Sequence, residues 1–321
     1  MPFVNYFTHR RLPILLLVGA LAAGCSALPA GGLESRQTDT IRQLVILYTN
    51  DEHGWMEPYQ NAGGAAGIGR LWRQGERLVA GDQHLVLSGG DMWTGPALST
   101  ALQGESMADV LNTMGYQAAA IGNHDFDFGV EALQARREQS AFPFLAANLR
   151  DRATGELPEF ASPYLLKEVN GITVGVIGLT TIEARIDTKP AYVAGLDFLP
   201  YRDVLPSVAA EARAAGAELL ILIGHLCVSE TRALAPLAAE LGIPIIGGGH
   251  CHEEINETVD GVLLVESGYF LRGYMRIELL FDTSRDEIVE LRAQQIPNRG
   301  GRADPEIRAL MEDWRSRTDP G

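Results

Sequence analysis

The chain has 321 residues, of which 46% are hydrophobic, so it can bury a sizeable core within one α/β domain of about 250 residues. Its 26 basic and 41 acidic residues give a net charge of −15, which excludes the basic surface that nucleic-acid polymers require. An acidic protein would also repel a small phosphorylated ligand unless bound cations reversed the local field.

The first 25 residues have the features of an export signal. A basic patch at residues 9–11 precedes an apolar stretch, residues 12–23, that is too short to span a membrane as a helix of about 20 residues. Residues 21–25 resemble the bacterial lipobox, whose Cys becomes the lipidated first residue of the mature protein. We therefore predict an outer-membrane lipoprotein of the bacterial cell envelope, anchored through Cys25 and facing the periplasm. Signal cleavage without lipidation is the alternative. Residues 26–39 are predicted to form a flexible tether.

Five short apolar runs have the composition of buried strands. Each run is soon followed by Asp, Asn or His. In an open α/β sheet, ligands bind beyond the carboxyl ends of the strands, so these polar residues are expected to meet there. The runs are residues 44–48, 84–87, 118–121, 219–223 and 243–246.

Segments with helical periodicity alternate with these runs, which implies a mainly parallel sheet covered by helices. The Asn170-Gly171 dipeptide predicts a tight hairpin turn, because both residues accept positive φ. We expect two facing sheets flanked by helices. The predicted helices are residues 65–78, 106–114, 130–139, 204–215 and 305–315; further strands are predicted at residues 144–149, within 164–179, and, as antiparallel strands, within 262–281 and 288–294.

The polar residues after the runs are of the types that hold metal ions. A two-metal site needs one carboxylate that bridges both ions, with imidazoles and oxygen ligands around it. Asp91 is predicted to be the bridge, because it follows a central strand and has no acidic neighbour. Asp51 and His53 are two residues apart, so in extended backbone they would chelate one ion together; His250 and His252 share this spacing. The seven predicted ligands are Asp51, His53, Asp91, Asn123, His225, His250 and His252.

Two cysteines, Cys227 and Cys251, lie within two residues of predicted ligand histidines. They could pair in an oxidising compartment. Our interpretation, however, is that they are two buried small hydrophobic side chains. A zinc–thiolate site is not expected, because neither cysteine belongs to a CxxC motif and the clusters supply N and O ligands.

In their order along the chain, these clusters resemble the calcineurin-like metallophosphoesterase superfamily, over residues 43–282. Residues 48–54, 63–65 and 122–127 further resemble its bacterial 5'-nucleotidase branch. The resemblance implies a four-layer αββα sandwich with two divalent metal ions; ligands of this kind accept Zn, Mn, Fe or Co. It places Asp51, His53, Asp91 and His252 on one ion, and Asp91, Asn123, His225 and His250 on the other.

The resemblance also gives His124 a catalytic role. This histidine is left over once seven ligands are assigned, and Asp127 could hold its imidazole in the protonated form. The predicted reaction is attack of a metal-bridging hydroxide on phosphorus, with His124 and Asp127 assisting the leaving group. Asn123 and His124 are also predicted to bind substrate. Trp55 and Trp93 adjoin ligand clusters and could stack on a base.

The predicted function is therefore hydrolysis of small phosphate esters by a catalytic domain at residues 40–298, followed by a C-terminal helix or tail at 299–321. Nucleoside 5'-phosphates and 2',3'-cyclic nucleotides are candidate substrates. Full-length members of the nucleotidase branch carry a second domain that recognises the base, and no such domain is expected in the remaining 23 residues of this chain. The alternative is an envelope metalloprotein that uses the same fold for a binding or scaffold role.

Overall fold

The computed structural model describes residues 40–78 and 83–318. The predicted signal, the lipidation site Cys25 and the predicted tether lie outside the described residues. Within the described ranges, no helix has the length and apolar character needed to cross a membrane.

Strands and helices alternate along the chain. The strands are β1 (Ile41–Thr49), β2 (His84–Ser88), β3 (Ala118–Ala120), β4 (Phe144–Leu145), β5 (Leu149–Asp151), β6 (Tyr164–Val169), β7 (Ile172–Leu179), β8 (Leu196–Phe198), β9 (Leu219–Gly224), β10 (Ile245–Gly247), β11 (Glu254–Val259), β12 (Val262–Ser267), β13 (Gly273–Asp282) and β14 (Glu287–Pro297). The α-helices are α1 (Gly64–Arg70), α2 (Ala97–Thr100), α3 (Glu105–Met114), α4 (Val130–Gln139), α5 (Ala184–Asp187), α6 (Tyr201–Ala214), α7 (Val228–Glu240) and α8 (Pro305–Thr318).

Most of these strands form two six-stranded mixed sheets. The first has the order β14-β13-β1-β2-β3-β4 and the second β11-β12-β10-β9-β7-β6, while β5 and β8 form a small separate pair. In the first sheet β1 to β4 are parallel. In the second, β7, β9, β10 and β12 are parallel. Each sheet thus directs several carboxyl ends of its strands the same way.

The two sheets face each other across a shared apolar layer. In β1, Leu44, Ile46 and Tyr48 point into this layer, whereas Val45 and Leu47 point to the helices outside it. This period of two is what a strand buried on both faces requires. Helices α1, α3 and α8 cover the first sheet, and α6 and α7 cover the second. The predicted four-layer αββα sandwich is confirmed.

The hairpin predicted at Asn170-Gly171 joins β6 to β7, and both turn residues have positive φ, +51° and +75°. The strand predicted at residues 144–149 is wrong in extent. The backbone N–H of Ala146 donates to Ser162 and that of Ala147 to Gly178, so the chain leaves the first sheet after β4. It then pairs with β8 as β5.

Two further differences concern helices. The helix predicted at residues 65–78 is α-helical only to Arg70 and then widens into a π-helical turn, Leu71–Gly75, where Trp72 is buried. The C-terminal helix α8 buries Ile307, Met311 and Trp314 in the same core as α1 and α3. It therefore packs as an integral part of the domain rather than as a tail.

Candidate metal centre

The residues that follow the five apolar runs approach one another from both sheets. Segments after β1, β2 and β3 come from the first sheet, and segments after β9 and β10 come from the second. Parallel strands place these endings on one side, as expected for a crevice beyond their carboxyl ends. Six of the seven predicted ligands form two groups, in each of which three ligand atoms lie within 4.8 Å of one another.

The first group consists of Asp51, His53 and His252. Oδ1 of Asp51 lies 3.3 Å from Nε2 of His252 and 3.7 Å from Nε2 of His53. The two histidine Nε2 atoms are 3.1 Å apart. A carboxylate oxygen and two imidazole nitrogens therefore face a common point.

The second group consists of Asp91, His225 and His250. Oδ2 of Asp91 lies 3.0 Å from Nε2 of His225, and it is also 3.6 Å from Nε2 of His53 in the first group. Asp91 thus lies between the two groups, which is the place where a bridging carboxylate is needed.

Several atoms in these groups have lone pairs that nothing in the described protein satisfies. Oδ1 of Asp51, Oδ1 of Asn123 and Nε2 of His225 are buried without a hydrogen-bond partner among the described residues. Buried polar atoms are normally paired, so unpaired atoms on three of the predicted ligands fit the binding of a further group. All three are atoms that bind divalent cations.

The orientation of two histidines, His53 and His225, also fits the binding of a metal ion. Nδ1 of His53 lies 2.9 Å from the carbonyl oxygen of Thr94, and Nδ1 of His225 lies 2.9 Å from that of Gly89. A carbonyl only accepts, so each Nδ1 donates a hydrogen to it, and each Nε2 faces the buried carboxylates, where a bound cation would replace its proton. Metal-binding histidines are oriented in this way. The residues therefore fit a metal centre.

The electrostatics of the centre favour positive charge. Burial alone would raise the pKa of the Asp51 carboxyl, but His225 and the two histidines of its own group hold it well below its usual range. Burial opposes protonation of His225, yet the carboxylates of Asp91 and Asp51 raise its pKa to about 10. By the same balance the pKa of His53 rises to about 9. Two buried carboxylates that approach the same histidines thus stabilise positive charge between them.

The backbone at the ligands is not extended, so the predicted reason for paired chelation is wrong. Asp51 and His53 have φ of +52° and +47°, and His250 and His252 have φ of +75° and +58°. Asp91 is left-handed as well, at +60°. Non-glycine residues in this region cost about 1–3 kcal/mol each and cluster at functional sites. Two tight turns, rather than the pleat of a strand, bring each pair together.

Asp125 is a residue whose importance the sequence analysis missed. Its buried carboxylate accepts hydrogen bonds from the backbone N–H groups of Asp91, Met92 and Gly122, at 3.0, 2.8 and 2.8 Å. Burial and the neighbouring Asp91 raise its pKa to about 7. Asp125 therefore fixes the loops that carry Asp91 and Asn123. In the sequence, the only indication of this role is the position of Asp125 directly after Asn123 and His124.

Asn50 was also missed. Its Nδ2 donates to Oδ2 of Asp51 at 2.7 Å and to the carbonyl of Gly268 at 2.6 Å. Its Oδ1 accepts the N–H of Ser267 at 2.7 Å. The side chain of Asn50 thus ties the loop that carries Asp51 to the end of β12.

Two exposed acids, Glu183 and Asp187, also approach Nε2 of His250, at 3.9 and 3.6 Å.

His124 and Asp127 form the contact that their spacing predicted. Nδ1 of His124 lies 2.7 Å from Oδ2 of Asp127, and this hydrogen bond raises the pKa of the imidazole. Thr188 donates to the other carboxylate oxygen at 3.3 Å. The His124 side chain is 40% exposed, and its ring centroid is 5.2 Å from that of His53. A proton-carrying imidazole therefore lies at the open edge of the centre.

The two tryptophans differ in their exposure and in their position relative to the centre. Trp93 is only 1% exposed and packs against Phe144 in the core, so the prediction that it stacks on a base does not fit the structure. Trp55 is half-buried at the rim, where it stacks on Phe270 and contacts Tyr59. Phe270 in turn contacts the rings of His53 and His252, at 5.5 and 5.7 Å between centroids.

Cys227 and Cys251 form a disulfide, with their Cα atoms 5.1 Å apart. The interpretation as two buried hydrophobic side chains is therefore wrong. Cys251 is exposed and Cys227 is half-buried. The pairing joins the loop after β9 to the loop after β10, two segments that come together only in the folded sheet.

The calcineurin-like phosphoesterase family model matches residues 44–254. A 5'-nucleotidase of Vibrio cholerae is 33% identical over 264 residues, which cover 78% of this chain. The chain belongs to the calcineurin-like phosphoesterase family. The predicted family is therefore confirmed. This phosphoesterase chain covers 46% of the Vibrio cholerae relative, so it spans about half the length of that protein.

Solved structures share the fold. The sulfate thiohydrolase SoxB of Thermus thermophilus has a TM-score of 0.75 at 22% identity, covering 85% of this chain and 60% of its own. The phosphoesterase YfkN of Bacillus subtilis has a TM-score of 0.76 at 19% identity, covering 87% of this chain and 98% of its own. The αββα sandwich is therefore the architecture of the calcineurin-like phosphoesterases.

Gly122→Ala is expected to disturb Asp91. A Cβ at this position would lie 2.0 Å from Oδ1 of Asp91, so the carboxylate would have to move. We expect the affinity for Mn or Zn to fall about 10- to 100-fold, measured by calorimetric titration of chelator-treated protein. Gly195→Ala is the matched control, because a Cβ there meets nothing within 4 Å. Equal affinity in both variants would contradict this view of Asp91.

Proposed function

We propose that this chain is a metal-dependent hydrolase of small phosphate esters with a dinuclear centre. The observation that carries the proposal is the position of Asp91 between two groups of ligand atoms, with unsatisfied lone pairs around it. Calcineurin-like phosphoesterases use divalent metals, and Zn, Mn, Fe and Co all suit this ligand set. We assign Asp51, His53, Asp91 and His252 to one cation, and Asp91, Asn123, His225 and His250 to the other.

When bound, such cations polarise a phosphoryl oxygen and make water available as a nucleophile at neutral pH. The protein residues then complete the reaction. Asp91 lies between the two groups of ligand atoms, and Asn123 offers a buried, unpaired Oδ1. His124, oriented and kept protonated by Asp127, reaches the same space from the open side. We infer that His124 stabilises the phosphoryl group and gives a proton to the leaving alkoxide.

For the substrate we propose a phosphate ester whose alcohol part carries an aromatic ring, such as a nucleoside 5'-phosphate or a 2',3'-cyclic nucleotide. Trp55 supports this, since its half-buried ring lies at the rim beside Tyr59 and Phe270. The relatives named 5'-nucleotidase support the same substrate class. A purely binding or scaffold role is less well supported, because the His124–Asp127 pair serves no purpose in it.

For the location we propose export to the bacterial envelope, with residues 1–25 as the signal and Cys25 as the lipidated residue. The Cys227–Cys251 disulfide supports export, because disulfides persist in oxidising compartments. The acidic net charge of −15 offers no surface for nucleic-acid polymers.

The protein is expected to hydrolyse phosphate esters only with metal. Chelation by EDTA should abolish turnover of p-nitrophenyl phosphate and AMP, and Mn, Zn or Co should restore it, because the two carboxylates need cations between them. Phosphate release would be measured for each metal, with bis-p-nitrophenyl phosphate, 2',3'-cyclic AMP and UDP-glucose as further substrates. Two bound metals without turnover of any substrate would refute the proposed activity.

His124→Ala is expected to keep its metals and lose most of its turnover. General acid assistance contributes about 10²–10⁴-fold to a rate, so kcat for an alkyl phosphate should fall by that order while metal content stays unchanged. Asp127→Asn should lower kcat less, because this change leaves His124 in place and removes only the carboxylate that orients its imidazole and favours its protonated form. His84→Ala is the control, since this histidine lies at the start of β2, away from the centre. Full activity of His124→Ala would remove this residue from the mechanism.

Trp55→Ala is expected to affect nucleotides selectively. Base stacking on an aromatic side chain contributes about 1–3 kcal/mol, so KM for AMP should rise roughly 5- to 100-fold. KM for glycerol 2-phosphate, which has no ring, should stay the same and provides the internal control. Trp55→Phe should retain most of the affinity for AMP. An equal rise for both substrates would mean that Trp55 only packs against the loop.

A further inference from the structure

The disulfide joins two segments that carry candidate metal ligands. His225 follows β9 directly, and Cys227 comes two residues later, just before α7. Cys251 lies between His250 and His252 in the loop from β10 to β11. One covalent bond therefore connects the neighbourhoods of three histidines that belong to both ligand groups.

The loop that carries Cys251 is strained, and it is exposed at the cysteine itself. His250 and His252, on either side of this cysteine, are both left-handed. Two long-range hydrogen bonds hold the residues before the cysteine: Gly249 donates to the carbonyl of Leu226 at 2.9 Å, and His250 donates to Oδ2 of Asp51 at 3.0 Å. The N–H of Cys251 itself donates only locally, to Gly249 at 2.8 Å. A strained conformation persists only where its surroundings fix it.

The other end of the disulfide is firmly anchored. The N–H of Cys227 donates to Oε2 of Glu230 at 3.0 Å, and the N–H of Glu230 donates back to the carbonyl of Cys227 at 2.9 Å. This reciprocal pair caps α7. The helix buries Leu234, Ala235 and Ala238 against the second sheet. The disulfide thus ties a strained loop to a rigid point.

We propose that the Cys227–Cys251 disulfide is a positioning element of the metal centre, which holds His250 and His252 where they bind cations. This inference rests on the proposed function, because it takes these histidines as ligands. The intact disulfide keeps the loop in place, and its reduction to two thiols leaves His250 and His252 free to depart from their left-handed conformation. The reduced protein therefore binds metal more weakly. At a metal concentration high enough to saturate the centre, it still turns over substrate.

The test compares the full chain in its oxidised and reduced forms. Tris(2-carboxyethyl)phosphine and one water convert the disulfide into two thiols, and the phosphine becomes its oxide. Chelator-treated protein is titrated with Mn or Zn by calorimetry in each form. We expect reduction to weaken binding about 10- to 100-fold, as loss of a supporting contact to metal ligands does. At saturating metal, kcat should change little.

The double variant Cys227→Ser/Cys251→Ser is the matched control. It should bind metal as weakly as the reduced protein and should not respond to the phosphine, which excludes effects of the reagent or of Cys25. Deuterium uptake at residues 248–253 should be faster in the reduced protein and in the variant. If the variant does not fold, reoxidation of the reduced wild-type protein must restore the original affinity.

The outcomes are distinct. Equal metal affinity and equal deuterium uptake in the oxidised and reduced proteins would overturn the positioning role and leave the proposed function intact. Failure of the oxidised wild-type protein to bind any metal would overturn the proposed function itself.

Discussion

The structure depends on two buried carboxylates, Asp51 and Asp91, that lie close enough to share the same histidines. Burying charge is costly unless opposite charge accompanies it. Around these two residues the protein supplies imidazole nitrogens, and the backbone N–H groups of His250 and His124 donate to their remaining oxygens at 3.0 and 2.8 Å. Such hydrogen bonds fix the carboxylates, whose negative charge is balanced by positive charge on the surrounding histidines or on bound cations.

The fold provides the means to assemble this charge. One carboxylate follows β1 and the other β2 in the same sheet, while the opposing sheet contributes histidines after β9 and β10. Neither sheet alone carries a complete set of ligands. The large apolar layer between the sheets therefore holds the two groups of candidate ligands together, and it offsets the cost of the left-handed backbone at five of them.

The sequence was informative where structure is local. Apolar runs with polar endings located the strands and the candidate ligands, and Asn170-Gly171 located a hairpin, because each signal lies within a few residues. It failed where tertiary contacts decide. The spacing of Asp51 and His53 fits a strand or a turn equally well. The partners of Asp125, the burial of Trp93 and the pairing of Cys227 with Cys251 all depend on segments that meet only after folding.

The buried carboxylates are surrounded by half-buried side chains, which are the ones that a substrate can reach. The carboxylates are buried, His124 and Asp127 are partly exposed, and the aromatic residues form the rim. The rim is not independent of the centre, because the backbone N–H of Phe270 donates to the carbonyl of Asp51 at 2.8 Å. Phe270 is itself left-handed and contacts two candidate ligand rings. A substrate that moves Phe270 would therefore act directly on the loop that holds Asp51, which couples recognition of the leaving group to the geometry of the metal centre.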